Sequence, residues 1–172
     1  VCNGSPAAAI NFTSPTTGGT IVYNWTNSDA SIGLAASGTG DIASFNATNI
    51  TTAPVTATIT VTPSFTNGAT CAGTAKTFMI TVNPTATVTA VSDQTVCSGS
   101  STTAVNFTSP TTGGSIVYNW TNNTTSIGLA ANGTGNILSF TATNAGTTRV
   151  TATITVTPSY TNAGTTCTGT PM

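Results

Sequence analysis

The stretch VTATITVTPS, residues 55–64, decides how this chain is to be read. Val55, Ala57, Ile59 and Val61 fall on one side of an extended strand, and Thr56, Thr58, Thr60 and Thr62 on the other. Successive side chains of a strand point to opposite faces, so the alternation describes a strand with one apolar and one wet face. Valine, isoleucine and threonine are branched at Cβ and fit that pleated surface. The same ten residues return unchanged at 150–159.

They do not return alone. NFTSPTTGG at 11–19 recurs at 106–114, and IVYNWTN at 21–27 recurs at 116–122, each displaced by 95 positions. Cys2 maps onto Cys97 by the same offset, and Cys71 onto Cys167 after one inserted residue. A period this long exceeds that of solenoid repeats and suits an array of small domains. The expected division is 1–83 and 84–172, with Pro84 marking the junction and little linker between the two domains.

Within each copy strand follows strand. Ile21, Tyr23 and Trp25 share a face, as do Ile10 and Phe12, Ala43 and Phe45, and Phe78, Ile80 and Val82. Pro15, Gly18 and Gly19, then Gly38 and Gly40, then Pro63, Asn67 and Gly68 punctuate the loops. No segment sustains a helical apolar period, so helices should be near absent. About seven short strands per copy with regular turn signals predict an all-β fold of tandem immunoglobulin-like sandwiches. Trp25 and Trp120 are the expected core anchors, one per copy.

Only Asp29, Asp41, Lys76, Asp93 and Arg149 carry formal charge, there is no histidine, and threonine occurs 44 times. Without a basic patch, nucleic acid finds no electrostatic footing. No apolar run is long enough to span a bilayer as a helix. A nearly uncharged surface suits a tethered or cell-surface chain better than a crowded cytosol. Val1 is not an initiator methionine, so the segment is expected to derive from a longer precursor.

The YNW strand, SDQTVCSGS at 92–100 and TATITVTPS resemble the PKD-like, immunoglobulin-fold repeats of large secreted Bacteroidota proteins. The likeness is greatest to the repeat region of giant gliding-motility adhesins exported by the type 9 secretion system. It covers essentially the whole chain. The Asp and Gly that usually follow the tryptophan in PKD repeats are absent, since Trp25 is followed by Thr26, Asn27 and Ser28. The resemblance implies an extracellular, cell-surface location and a structural or adhesive role. The implied partners are flanking repeats of the same chain, with surface polysaccharide or substratum beyond them.

Chemistry is hard to build from this inventory. General acid–base work needs a titrating group, and Asp29 and Asp41 are replaced by Thr124 and Asn136 in the second copy. Abundant serine and threonine lack a base to activate them, so no catalytic residue and no cofactor are expected. Three scattered aspartates fall short of a calcium site, and four cysteines without histidine or a CxxC pair fit zinc poorly. The threonine rows could suggest an ice-binding lattice, but sandwich sheets twist and threonine is simply a soluble strand former. Triplets of the N-x-[S/T] form at Asn11, Asn24, Asn46, Asn106 and Asn132 arise readily in a chain of this composition. A carbohydrate-binding module, or spacer domains of a secreted enzyme, is the alternative; a module would need exposed aromatics, whereas Phe12, Tyr23 and Trp25 suit the core.

Cys2, Cys71, Cys97 and Cys167 are expected to form disulfides in an oxidising compartment. Their spacing favours Cys2 with Cys71 and Cys97 with Cys167. In a plain immunoglobulin topology the first turn and last loop lie at opposite poles, which disfavours that pairing, and Cys2 with Cys167 is the runner-up. The first copy is expected to lack an opening strand equivalent to TATVTAVSDQT at 85–95, and the second to lack a final strand equivalent to TFMITV at 77–82.

Overall fold

A computed structural model describes all 172 residues, and the chain divides into two compact units, Val1–Pro84 and Thr85–Met172. Both are built from antiparallel strands, and the helical content is a single 3-10 turn in each, Ala30–Ile32 and Thr125–Ile127. The first unit contains β1 (Pro6–Ala7), β2 (Thr20–Asn27), β3 (Ser37–Thr39), β4 (Phe45–Asn46), β5 (Val55–Asn67), β6 (Ala69–Ala72) and β7 (Lys76–Val82). The second contains β8 (Ser115–Asn122), β9 (Asn132–Thr134), β10 (Ile154–Asn162) and β11 (Thr165–Thr168).

β5, which carries the alternating stretch, is the spine of unit 1. One of its edges takes β2, with Trp25 opposite Val61 and Tyr23 opposite Pro63. Its other edge takes β7 along Val55–Val61 and β6 along Ser64–Asn67. The short pair β1–β4 and the Ile10–Ile42 bridge form a thinner layer, consistent with a β-sandwich. The core between them gathers Trp25, Ile32, Leu34, Ile42, Ala57, Ile59 and Val82. Phe12 and Tyr23 stack at its margin with ring centroids 5.4 Å apart.

Trp25 and Trp120 are each 7% exposed, in separate cores. Gly38 on β3 and Gly133 on β9 lie flat against the indoles, where an added Cβ would overlap the ring. Each strand after the tryptophan ends on a buried asparagine. The Asn27 amide donates to the carbonyls of Leu34 (3.0 Å) and Ala35 (3.3 Å), and its oxygen accepts from the Asp29 N–H. Asn122 makes the same bonds to Leu129, Ala130 and Thr124. These bonds close the loop that leads into the 3-10 turn.

The expected pairing of Cys2 with Cys71 and Cys97 with Cys167 is corrected: Cys71 and Cys97 are free and exposed thiols, while Cys2 and Cys167 each take part in a disulfide. The register explains why. Cys71 lies opposite Phe65, whereas Cys2 bridges to Asn83, which follows Val82, the partner of Val55. Phe65 and Val55 are separated by roughly 33 Å along one strand at about 3.3 Å per residue. A disulfide tolerates a Cα separation of at most about 7 Å.

Candidate functional site

In unit 2, β10 repeats the role of β5, with β8 on one edge and β11 on the other. After β11 the chain runs on along β10: Gly169 N–H donates to Pro158 O (2.8 Å), and Met172 and Val156 exchange both backbone bonds (2.9 and 3.0 Å). Lys76 stands opposite Val61 in the corresponding place of unit 1. Beyond it, unit 1 has Thr77–Val82 of β7, and unit 2 has no strand against residues 150–155.

The consequence is a groove of about 950 Å³ running into the core of unit 2. Its apolar lining includes Phe107, Ile127, Leu129, Ile137, Phe140 and Ile154, and one wall is the segment 90–98. Burial tracks the opening. Ala57, Ile59 and Ile32 are fully buried in unit 1, whereas Ala152, Ile154 and Ile127 are only half-buried. In an antiparallel ladder, backbone groups alternate between the two edges. Thr153 turns toward the β8 side, accepting from Asn123 N–H (3.2 Å) and donating to Asn123 Oδ1 (2.8 Å). Val156 faces Met172, so Ile154 and Ala152 aim their N–H and C=O groups into the groove.

Asn49 shows how the corresponding place is filled in unit 1. Its amide donates to Ala53 O (2.9 Å) and to Val82 O at the end of β7 (2.7 Å). Asn144, its equivalent, makes the first of these bonds, to Thr148 O (2.8 Å), and lines the groove. Sequence reasoning passed over both asparagines; their position in corresponding loops of the two copies was the signal.

Residues 85–89 run beside the end of the β11 hairpin in unit 2, where Thr170 N–H donates to Ala86 O (2.8 Å) and Thr89 N–H to Thr108 O (2.8 Å). There Tyr160 is fully buried and Cys167 is 3% exposed. A smaller opening of about 210 Å³ lies beside Ile21, Pro63, Phe65, Cys71 and Gly73.

The remaining expected residues fall outside these openings or only at their rim. Asp29 caps the first 3-10 turn by accepting from Ser31 N–H (2.9 Å), and hydrogen bonds from Ser31 hold its carboxyl below the ordinary value. Asp41 accepts from Phe12 N–H (2.8 Å), and Asn136 takes its place for Phe107 (2.9 Å). The threonine rows bond across strands, Thr56 to Thr81 (2.8 Å) and Thr66 to Thr70 (2.9 Å). No three potential metal ligands cluster. No helix is long and apolar enough to cross a membrane. Comparison of the chain with protein-family models, curated proteins and solved structures found no match.

Proposed function

We propose that the chain is a structural and adhesive segment of a secreted cell-surface filament protein. In this reading it consists of tandem immunoglobulin-like, PKD-like β-sandwich repeats, of the kind that its sequence resembles in gliding-motility adhesins. The observation that carries the reading is the adjoining pair of like units, Val1–Pro84 and Thr85–Met172, in which β5 and β10 share one sequence pattern and pair in the same register with the tryptophan strands β2 and β8. Disulfide-bonded Cys2 and Cys167 accord with an oxidising compartment. The mechanism is mechanical: force along the chain is borne by the hydrogen bonds of the β5–β2 and β10–β8 ladders.

The test is to tether the chain between a surface and a force probe, and separately to coat beads with it. Discrete unfolding of two folded units under load is expected, together with bead retention on polysaccharide films under flow. Featureless extension at negligible force, with no retention, would sink the reading. Saturable binding of one soluble oligosaccharide, in place of retention, would favour the carbohydrate-module alternative.

A further inference from the structure

We infer that Asn67, in the β5–β6 hairpin, is a self-modification site that converts spontaneously to a mixture of aspartate and isoaspartate. The other two Asn-Gly pairs of the folded chain stay intact. The inference does not depend on the filament reading. Asn-Gly occurs at 3–4, 67–68 and 132–133. Glycine has no Cβ, so the peptide nitrogen that follows the asparagine is unhindered at all three. What separates them is whether that nitrogen and the side-chain amide are free to meet.

Two of the pairs are held. Gly4 N–H donates to Ala47 O (2.8 Å), and the side-chain oxygen of Asn3 accepts from Asn49 N–H (2.8 Å). Asn132 and Gly133 both lie in β9, opposite Thr121 and Trp120. On either side of them Asn122 N–H donates to Ala131 O and Gly135 N–H to Tyr118 O. The alternation of an antiparallel ladder therefore ties Gly133 to Trp120 in between. Gly133 is also pressed against the Trp120 ring. Nothing holds the third pair in this way. Asn67 ends β5 and Ala69 begins β6, so Gly68 alone makes the turn, at φ 73°. The Asn67 side chain is exposed, and neither its amide nor the Gly68 N–H makes a hydrogen bond. A Cβ built on Gly68 would meet no atom within 4 Å, which leaves room for a ring to close. In the matching hairpin of unit 2, the inserted Ala163 separates Asn162 from Gly164.

The chemistry needs only hydroxide and water. Hydroxide removes the Gly68 amide proton, and the nitrogen attacks Cγ of Asn67. A C–N bond forms there as the bond from Cγ to the side-chain nitrogen breaks, and ammonia leaves with a proton taken from water. Water then opens one of the two C–N bonds of the five-membered imide. Opening at Cγ gives aspartate on an unchanged backbone. Opening at the main-chain carbonyl gives isoaspartate, whose backbone runs through Cγ and is one atom longer. Either product adds a negative charge to a chain of net charge -1. The change falls at the end of β5, the spine of unit 1, and unit 2 carries no counterpart of it.

The experiment incubates the intact 172-residue chain in mildly alkaline buffer, once folded and once in denaturing urea, and follows each asparagine by peptide mass spectrometry. In the folded chain Asn67 should gain the mass of an amide-to-acid change. It should do so about tenfold faster than Asn3 or Asn132, which react only through local opening. In urea the three should convert at similar rates. Asn67→Gln should remove the first acidic species seen on anion exchange, because glutamine would have to close a larger ring. The variant's own melt verifies that it folds. Equal rates at the three sites in the folded chain would overturn the inference. So would an Asn67 that stays intact in the folded chain yet converts in urea.

Discussion

Residues 55–61 and 150–156 have the same sequence and different surroundings, and the contrast separates what a strand's pattern contributes from what its neighbours contribute. Ile59 is fully buried and Ile154 half-buried, although each follows the same alternation and faces the same way. The pattern aims the side chain; β7 is what covers it in unit 1.

Substitution of the tryptophans should give the largest effects. Trp25→Ala and Trp120→Ala should each cost about 3–5 kcal/mol, since both indoles fill closed parts of their cores. Denaturation monitored by hydrogen exchange should show the loss confined to the unit that carries the change. A cost in unit 2 well below this would mean that its opening reaches Trp120.

The two isoleucines probe the contrast directly. Ile59→Ala should cost about 2–5 kcal/mol. Ile154→Ala should cost about 1 kcal/mol, because much of that side chain keeps its solvent and little new cavity forms. Equal costs would break the comparison.

A smaller asymmetry is expected at the asparagines. Asn49→Ala leaves the buried carbonyl of Val82 without its donor and should cost about 1–3 kcal/mol. Asn144→Ala, which removes the bond to Thr148 O alone, should cost less than half as much.

The smallest effect concerns the inserted residue. Ala163 is the sole non-glycine residue with positive φ (46°), and it sits with Gly164 (77°) in the turn between β10 and β11. The left-handed conformation crowds its Cβ against the backbone. Ala163→Asn should therefore raise the stability of unit 2 by about 0.5–1 kcal/mol, as two-residue hairpins favour Asn-Gly. Thermal melts would show it. Unit 1, with Gly68 alone in the corresponding turn, offers no such gain.

Much of this was legible in the residues. The alternation of VTATITVTPS predicted β5 and β10, and IVYNWTN predicted β2 and β8 with tryptophan turned inward. Their periodicity is local, so no long-range information was needed. The buried asparagines were not legible, because a polar residue in a threonine-rich chain gives no sign that its amide closes a loop. The cysteine pairing also escaped. Equal spacing suggested one bond per copy, but a disulfide depends on Cα separation, and the strand register holds Cys2 and Cys71 at opposite ends of β5.

By itself the sequence determined an all-β chain, its repeat and which side chains face inward, because strand pleating converts alternation directly into two faces. Only the tertiary structure decided which cysteines bond and which asparagines hold the loops. Those depend on which strand lies beside which, and two identical sequences can differ in that alone.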